Sequence, residues 1–168
     1  ISPRWKSTNK KELESSAYTM NKSVEQSRIL FLDTSAVVRL LQMHPDYYPV
    51  VSEVLDFAYE KNVTLLTSVV TLYEISRKAC SAGEAVLARQ YREFFENSNN
   101  VKLCGVNGEI AVKAAELFAA AGRTNHKISD EDALQLACAF VNGADCILTE
   151  NPNFANATDI AVVTLDEV

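Results

Sequence analysis

From Ile29 onward the chain is dominated by five short apolar runs separated by longer stretches of helical period. The runs are "ILFLD" (29–33), "VTLLTS" (63–68), "VKLCGV" (101–106), "DCILT" (145–149) and "IAVVTL" (160–165). Apolar character that persists over so few residues, without polar alternation, is the pattern of strands covered on both faces, as in a parallel sheet. Helical patterns fill the intervals at 34–43, 49–61, 69–81, 83–97, 107–121 and 130–142, and Gly83, Gly122 and Gly143 read as the ends of three of them. This alternation predicts an α/β fold: a three-layer sandwich around a central parallel sheet of about five strands, linked by right-handed crossovers. Ligands of such sheets gather outside the carboxyl ends of the strands, where strand order reverses.

Residues 1–28 differ from the rest. They are rich in Ser, Lys, Asn and Glu, show no sustained apolar period, and read as an N-terminal arm or leader, with helix expected around 10–26 and Met20 a candidate natural start. The globular domain is then 29–168. The opening "ISPRWKSTNKKELESS" lacks the apolar core of a signal peptide, and no apolar run approaches the roughly 20 residues that span a bilayer. A cytoplasmic protein without a membrane partner is expected. The cysteines Cys80, Cys104, Cys138 and Cys146 form no C-x-x-C pair and lie in apolar segments, which suits buried free thiols in a reducing compartment rather than zinc or disulfides.

The net charge of −6 is unevenly spread: residues 1–28 carry six Lys/Arg against three Glu, and the remainder carries ten against nineteen acids. A globular part this acidic does not attract nucleic acid through its overall field, so such a ligand requires a local basic patch or a bridging cation. "GRTNHK" (122–127), with Arg123 and Lys127, is the strongest local candidate, followed by Arg39 and Arg77 on helices after acidic positions. His44 and His126 are not spaced for paired acid–base work. Tyr47, Tyr48, Tyr91, Phe94 and Phe95 read as core or dimer contacts.

Several acids stand just past a strand or at the start of a helix. Asp33 ends the first apolar run, Glu74 follows the second, Asp130, Glu131 and Asp132 open the helix after Ser129, and Glu150 and Asn151 follow "DCILT". Each has an ordinary structural explanation: Asp33 as a helix cap, Glu74 as a solvated side chain, the 130–132 acids as partners of a helix dipole. Their coincidence at one sheet edge points instead to a hard divalent cation, Mg²⁺ or Mn²⁺, held by carboxylates and waters.

The stretches "ILFLDTSAVVRLL", "VVTLYEISR" and "ISDEDALQLACAFVNGADCILTENPNF" resemble, in order and spacing, the PIN-domain family of metal-dependent ribonucleases, particularly VapC-type toxins of bacterial toxin–antitoxin pairs. The resemblance spans 29 to about 165. It implies an RNA-hydrolysing endonuclease with Asp33, Glu74 and Asp132 as catalytic and metal-binding acids, Ser35 and Thr149 as hydroxyl partners, and Mg²⁺ or Mn²⁺ as cofactor. It further implies an RNA substrate, a cognate antitoxin and a homodimer, the last consistent with the aromatic-rich "DYYPVVSEVLDFAYE" and "LARQYREFFENS". Asp130 is the alternative third acid. Many relatives place a further Asp after the last of these motifs' strands, where this chain has "TENPNF", so Glu150 or Asn151 is the expected substitute ligand.

Three other readings compete. A phosphatase with an aspartate nucleophile normally has a second Asp two positions on, where this chain has Ser35. A receiver-type signalling domain requires acids clustered around the first strand. A catalytically degenerate scaffold that binds RNA or a protein is favoured by Asn151 and the acidic surface.

Overall fold

A computed structural model describes residues 20–168. In chain order these form α1 (Lys22–Glu25), β1 (Ile29–Leu32), α2 (Thr34–Leu41), α3 (Tyr48–Lys61), β2 (Thr64–Ser68), α4 (Val69–Ser81), α5 (Ala85–Glu96), β3 (Val101–Cys104), α6 (Gly108–Arg123), α7 (Asp130–Val141), β4 (Cys146–Thr149), a 3₁₀ turn (Pro152–Asn156) and β5 (Ala161–Thr164). Among the described residues one five-stranded sheet has the order β3-β2-β1-β4-β5, and every pairing is parallel. This is the three-layer α/β sandwich expected from the alternating pattern. Leu30 stands opposite Leu65 of β2 and Cys146 of β4, so β1 is paired on both sides.

The two-residue period of the strands sorts their side chains into two cores. Leu30, Leu32, Leu65, Cys146 and Leu148 face one layer with Ala36, Val37, Val51, Val54, Ala58 and Ile75 of α2, α3 and α4. Phe31, Leu66 and Ile147 face the other, with Ile110 and Ala114 of α6 and Leu136 and Ala137 of α7. Both faces of the central strands are therefore apolar, which is why those runs show no alternation. The edge strands depart from that expectation: Lys102 of β3 and Ala161 of β5 are exposed, because an edge has a neighbour on one side only.

Other boundaries also shift. Asp33 lies one residue beyond β1, at the cap of α2. Gly122 does not end a helix but lies within α6, and the left-handed residue that follows is Asn125 (φ 58°). Gly83 (φ 83°) and Gly143 (φ 69°) do adopt the left-handed conformation after their helices, and Asn62 (φ 56°) does so after α3. Cys80 is exposed rather than buried; Cys104, Cys138 and Cys146 are buried, and all four are free. Burial pushes the Cys138 and Cys146 thiols up to about 12, which keeps them protonated and unsuited to ligating a metal.

The arm expected over 1–28, and the helix expected over 10–26, lie outside the described residues as far as residue 19. From Met20 the chain packs: Met20 and Val24 join the core, with α1 against β5, Asn21 caps α1 by accepting from the Ser23 amide at 3.0 Å, and Asn21 Nδ2 donates to the Glu167 carbonyl. Asp145 Oδ2 accepts from the Arg28 and Ile29 amides at 2.8 and 2.9 Å, setting the entry of β1 beside β4. No helix of the described residues is long and apolar enough to cross a membrane.

The central position of β4 makes Leu148→Ala a direct probe of the core. Leu148 has no exposed surface, and the lost transfer energy plus the cavity should cost about 3 kcal/mol. Urea unfolding should show a lowered midpoint with an unchanged slope.

Candidate active site

The loops after β1 and β4 leave the sheet in opposite directions, so the carboxyl ends of these adjacent strands border the crevice where strand order reverses. Asp33 stands at this point. Its amide donates to the Leu148 carbonyl at 3.0 Å, which continues the sheet ladder one residue past β1, and the residue is only 7% exposed. Ser35 Oγ and Thr149 Oγ1 donate to Asp33 Oδ2 at 2.8 and 2.7 Å. Among the described residues no hydrogen bond engages Oδ1.

Asp33 therefore occupies a cap position without making a side-chain cap bond. Burial raises its pKa above the ordinary carboxylate range. The Thr149 and Ser35 hydroxyls, followed by the nearby Thr34 and Ser35 amides, pull the other way without cancelling the effect. The same hydroxyls anchor the loop after β4: Ser35 Oγ accepts from the Glu150 amide at 2.9 Å, and Thr149 Oγ1 accepts from the Asn151 amide at 3.0 Å.

Glu74 is half-buried on α4 and accepts on Oε2 from Thr34 Oγ1, the residue next to Asp33. Thr34 is held by Gln135 of α7, whose Nε2 donates to Thr34 Oγ1 at 2.6 Å and to Thr71 Oγ1 at 2.8 Å, while Ser68 Oγ donates to Gln135 Oε1 at 2.6 Å. One network thus ties β2, α2, α4 and α7 around Asp33 and Glu74. Sequence reasoning missed Gln135, Thr34, Thr71 and Ser68. The available signal was Gln135 itself, the one amide or charged side chain in the otherwise apolar stretch 133–139.

The remaining candidates are placed differently. Asp132 closes a capping box at the start of α7: its Oδ2 accepts from the Ser129 amide and its own amide donates to Ser129 Oγ, both at 3.0 Å. Asp130 is exposed in the same first turn. Glu150 is ion-paired with Arg39 at 2.9 Å, so these two expected functional groups satisfy each other. That bond raises the Arg39 pKa, and Arg39 also lies over the Tyr47 ring at 5.5 Å. The Asn151 side chain accepts from the Asn153 amide and caps the 3₁₀ turn. Arg123 and Lys127 are exposed ahead of α7.

Arg77 lies 5.5 Å from the centroid of the exposed Tyr73 ring. Tyr73 borders a groove of about 300 Å³ between the starts of α4 and α7, lined by Val69, Val70, Asp130, Glu131 and Leu134. A larger hollow of about 450 Å³ opens at the amino ends of β2 and β3, away from the acids.

No group of three or more His, Cys, Asp or Glu side chains among the described residues could by itself hold a metal ion. The donor set still fits a hard cation of the Mg²⁺ kind, which is commonly held by one or two carboxylates with waters completing its shell. Among the described residues Asp33 presents an oxygen without a hydrogen bond and has no positive charge offsetting its burial, and Glu74 has one oxygen engaged by Thr34. Asp132 can join such a set only with its Oδ2 already committed to Ser129.

A family model described as the PIN domain matches residues 30–160. No curated protein matches the chain. Among solved structures, VapBC2 from Rickettsia felis, bound to a DNA fragment from its promoter, superposes with a TM-score of 0.67 at 18% identity, over 81% of this chain and 98% of that one. VapBC-1 from nontypeable Haemophilus influenzae gives 0.65 at 19% identity, over 82% and 98%. VapC20 from Mycobacterium tuberculosis, a sarcin-ricin loop cleaving toxin, gives 0.54 at 16% identity, over 70% and 86%. At these identities the likeness is one of fold.

The raised pKa of Asp33 fixes the sign of a pH effect. The stability it contributes is fully present below the unfolded-state pKa and is lost as pH rises through the folded-state pKa, where the buried carboxylate ionises. Asp33→Asn keeps an oxygen for the Ser35 and Thr149 hydroxyls and removes the charge. In chelator the variant should melt above the parent at pH 7, by about 2–4 °C per kcal/mol relieved. The difference should shrink toward pH 4. A variant that melts below the parent at pH 7 makes the Asp33 charge structural.

Proposed function

The chain belongs to the PIN-domain family, and from that premise we propose that it is a metal-dependent endoribonuclease, the toxin of a toxin–antitoxin pair. The observation that carries this reading is Asp33: a buried carboxylate at the strand-order reversal, with Oδ1 without a hydrogen-bond partner among the described residues and Glu74 linked to it through the adjoining Thr34. Burying a charge in this way costs several kcal/mol unless a partner compensates it. A cation is the compensating partner that oxygen donors alone select.

Asp33 and Glu74 would hold Mg²⁺ or Mn²⁺, with Asp132 as third acid through its other oxygen or a water. The chemistry such an ion supplies when bound is charge neutralisation at a phosphate and acidification of water for in-line hydrolysis. Ser35 and Thr149 orient Asp33 by holding Oδ2, which leaves Oδ1 as the ligand oxygen. Arg77, Arg123 and Lys127 are the cations for the RNA backbone, and the exposed Tyr73 ring beside Arg77 offers a face on which an unpaired base stacks. Arg39 is spent on Glu150 and contributes less to binding.

The VapBC neighbours support a protein partner of the antitoxin kind, and the sarcin-ricin loop cleaving neighbour supports RNA as substrate. The nuclease unit is taken as 29–168 with residues 20–28 packed against it and the residues before them as an appended arm, acting in the cytoplasm, where buried free thiols persist. Homodimerisation is assigned to α3 and α5: α5 buries only Phe95, leaving Val86 and Phe94 exposed, and Tyr59 of α3 is exposed as well. A second reading, RNA or protein binding without cleavage, is favoured by one observation, the engagement of Asp132 in its capping box.

Cleavage of a single-stranded RNA decides between them. The parent should cut in Mg²⁺ or Mn²⁺ and stop in chelator, and Asp33→Asn should fall to the protein-free background while remaining folded. Retention of RNA by the parent without any cleavage in either metal selects the binding reading. Light scattering at tens of micromolar should give twice the chain mass, and a monomer there removes the α3–α5 interface.

A further inference from the structure

We propose that Gln135 is a positioning residue for the Glu74 carboxylate, setting the direction of the hydroxyl bond that holds it for a divalent cation. The proposal rests on the metal-nuclease reading above. Gln135 is 1% exposed in the most deeply buried part of α7, between Ala133 and Ala139. An amide there is destabilising unless its donors and acceptor are all used.

The network admits one arrangement. Ser68 Oγ accepts from the Val70 amide at 3.1 Å and the Thr71 amide at 3.4 Å, which occupies both of its lone pairs. Ser68 must therefore donate to Gln135 and cannot accept from it, so the amide oxygen faces Ser68 and the NH₂ group faces Thr34 and Thr71. Thr34 Oγ1 then accepts from Gln135 and contacts two further oxygens, those of Thr71 at 2.9 Å and of Glu74. A carboxylate only accepts, so the Thr34 proton goes to Glu74 and the Thr71 proton goes to Thr34. Every hydroxyl is used once as donor and within its capacity as acceptor. The donors point one way, from Ser68 through Gln135 and Thr71 to Thr34 and finally Glu74 Oε2.

Gln135 touches neither substrate nor metal in this scheme. It acts through Thr34, holding one oxygen of Glu74 in place from a different helix. Groups that orient metal ligands in this way typically change metal affinity about 10- to 100-fold when removed.

The test is Mn²⁺ affinity by calorimetry on the full chain, below the melting temperature of each variant. Gln135→Met, similar in size and without the amide, should bind Mn²⁺ about 10-fold more weakly or worse. Thr34→Val should weaken binding similarly, and the double variant should be no weaker than the poorer single, because both changes break one path. Gln135→Glu covers the case in which the methionine variant fails to fold. It keeps the Ser68 bond but draws the Thr34 proton away from Glu74, so it should weaken Mn²⁺ binding although its added negative charge would by itself strengthen it. Parent-like affinity in folded Gln135→Met, multiplying effects in the double variant, or unchanged or tighter binding in Gln135→Glu overturns the positioning role alone. A parent chain that binds no Mn²⁺ overturns the metal-site reading and this role with it.

Discussion

The carboxyl edge of the molecule depends on the placement of β1, which is hydrogen-bonded on both sides and covered on both faces. A strand so enclosed cannot shift register without moving Leu30, Phe31 and Leu32 into the wrong cores. Its successor, Asp33, is consequently held where the sheet order reverses, at whatever electrostatic cost. Thr149 offsets part of that cost from the neighbouring strand and Ser35 another part from the following helix, and both bonds fall on the same oxygen.

Around this point the polar side chains form a frame rather than a row of separate residues. Gln135 reaches from α7 to β2, α2 and α4, and both polar ends of its amide have partners. A buried network satisfied to this degree is stiff, since any rotation leaves a group unpaired in a low-dielectric setting. The acids outside it are held by other duties. Asp132 serves its own helix start, and Glu150 serves Arg39. Capping commits one oxygen of Asp132, and the ligand role proposed for that residue falls on the other.

Charge distribution bears on the substrate as much as on the site. Nineteen acids against ten bases in residues 29–168 make the domain repel a polyanion at a distance. Under the proposed reading attraction has to be local, and it is assigned to the exposed Arg77 beside Tyr73 and to the exposed Arg123 and Lys127 ahead of α7. Screening by salt reduces the long-range repulsion and the short-range attraction unequally, because contacts at a surface shorter than the Debye length of about 8–10 Å persist.

The sequence by itself determined the layered fold, because short unbroken apolar runs have no other stable use than strands covered on both sides, and the helices between them leave only parallel crossovers. It also singled out Asp33, since a carboxylate at the end of such a run is conspicuous, and Glu74 through its spacing from the second strand. Tertiary structure decided how these groups are used. Hydrogen bonds between residues more than 100 positions apart, such as Thr149 to Asp33 and Gln135 to Thr34, leave no local trace in the chain. Whether Arg39 is available and which strands are edges follow from neighbours that only the folded sheet brings together, whereas the Ser129–Asp132 capping box is local. Gln135 lies between the two cases: visible as a polar residue in an apolar helix, but without meaning until Ser68, Thr34 and Thr71 surround it.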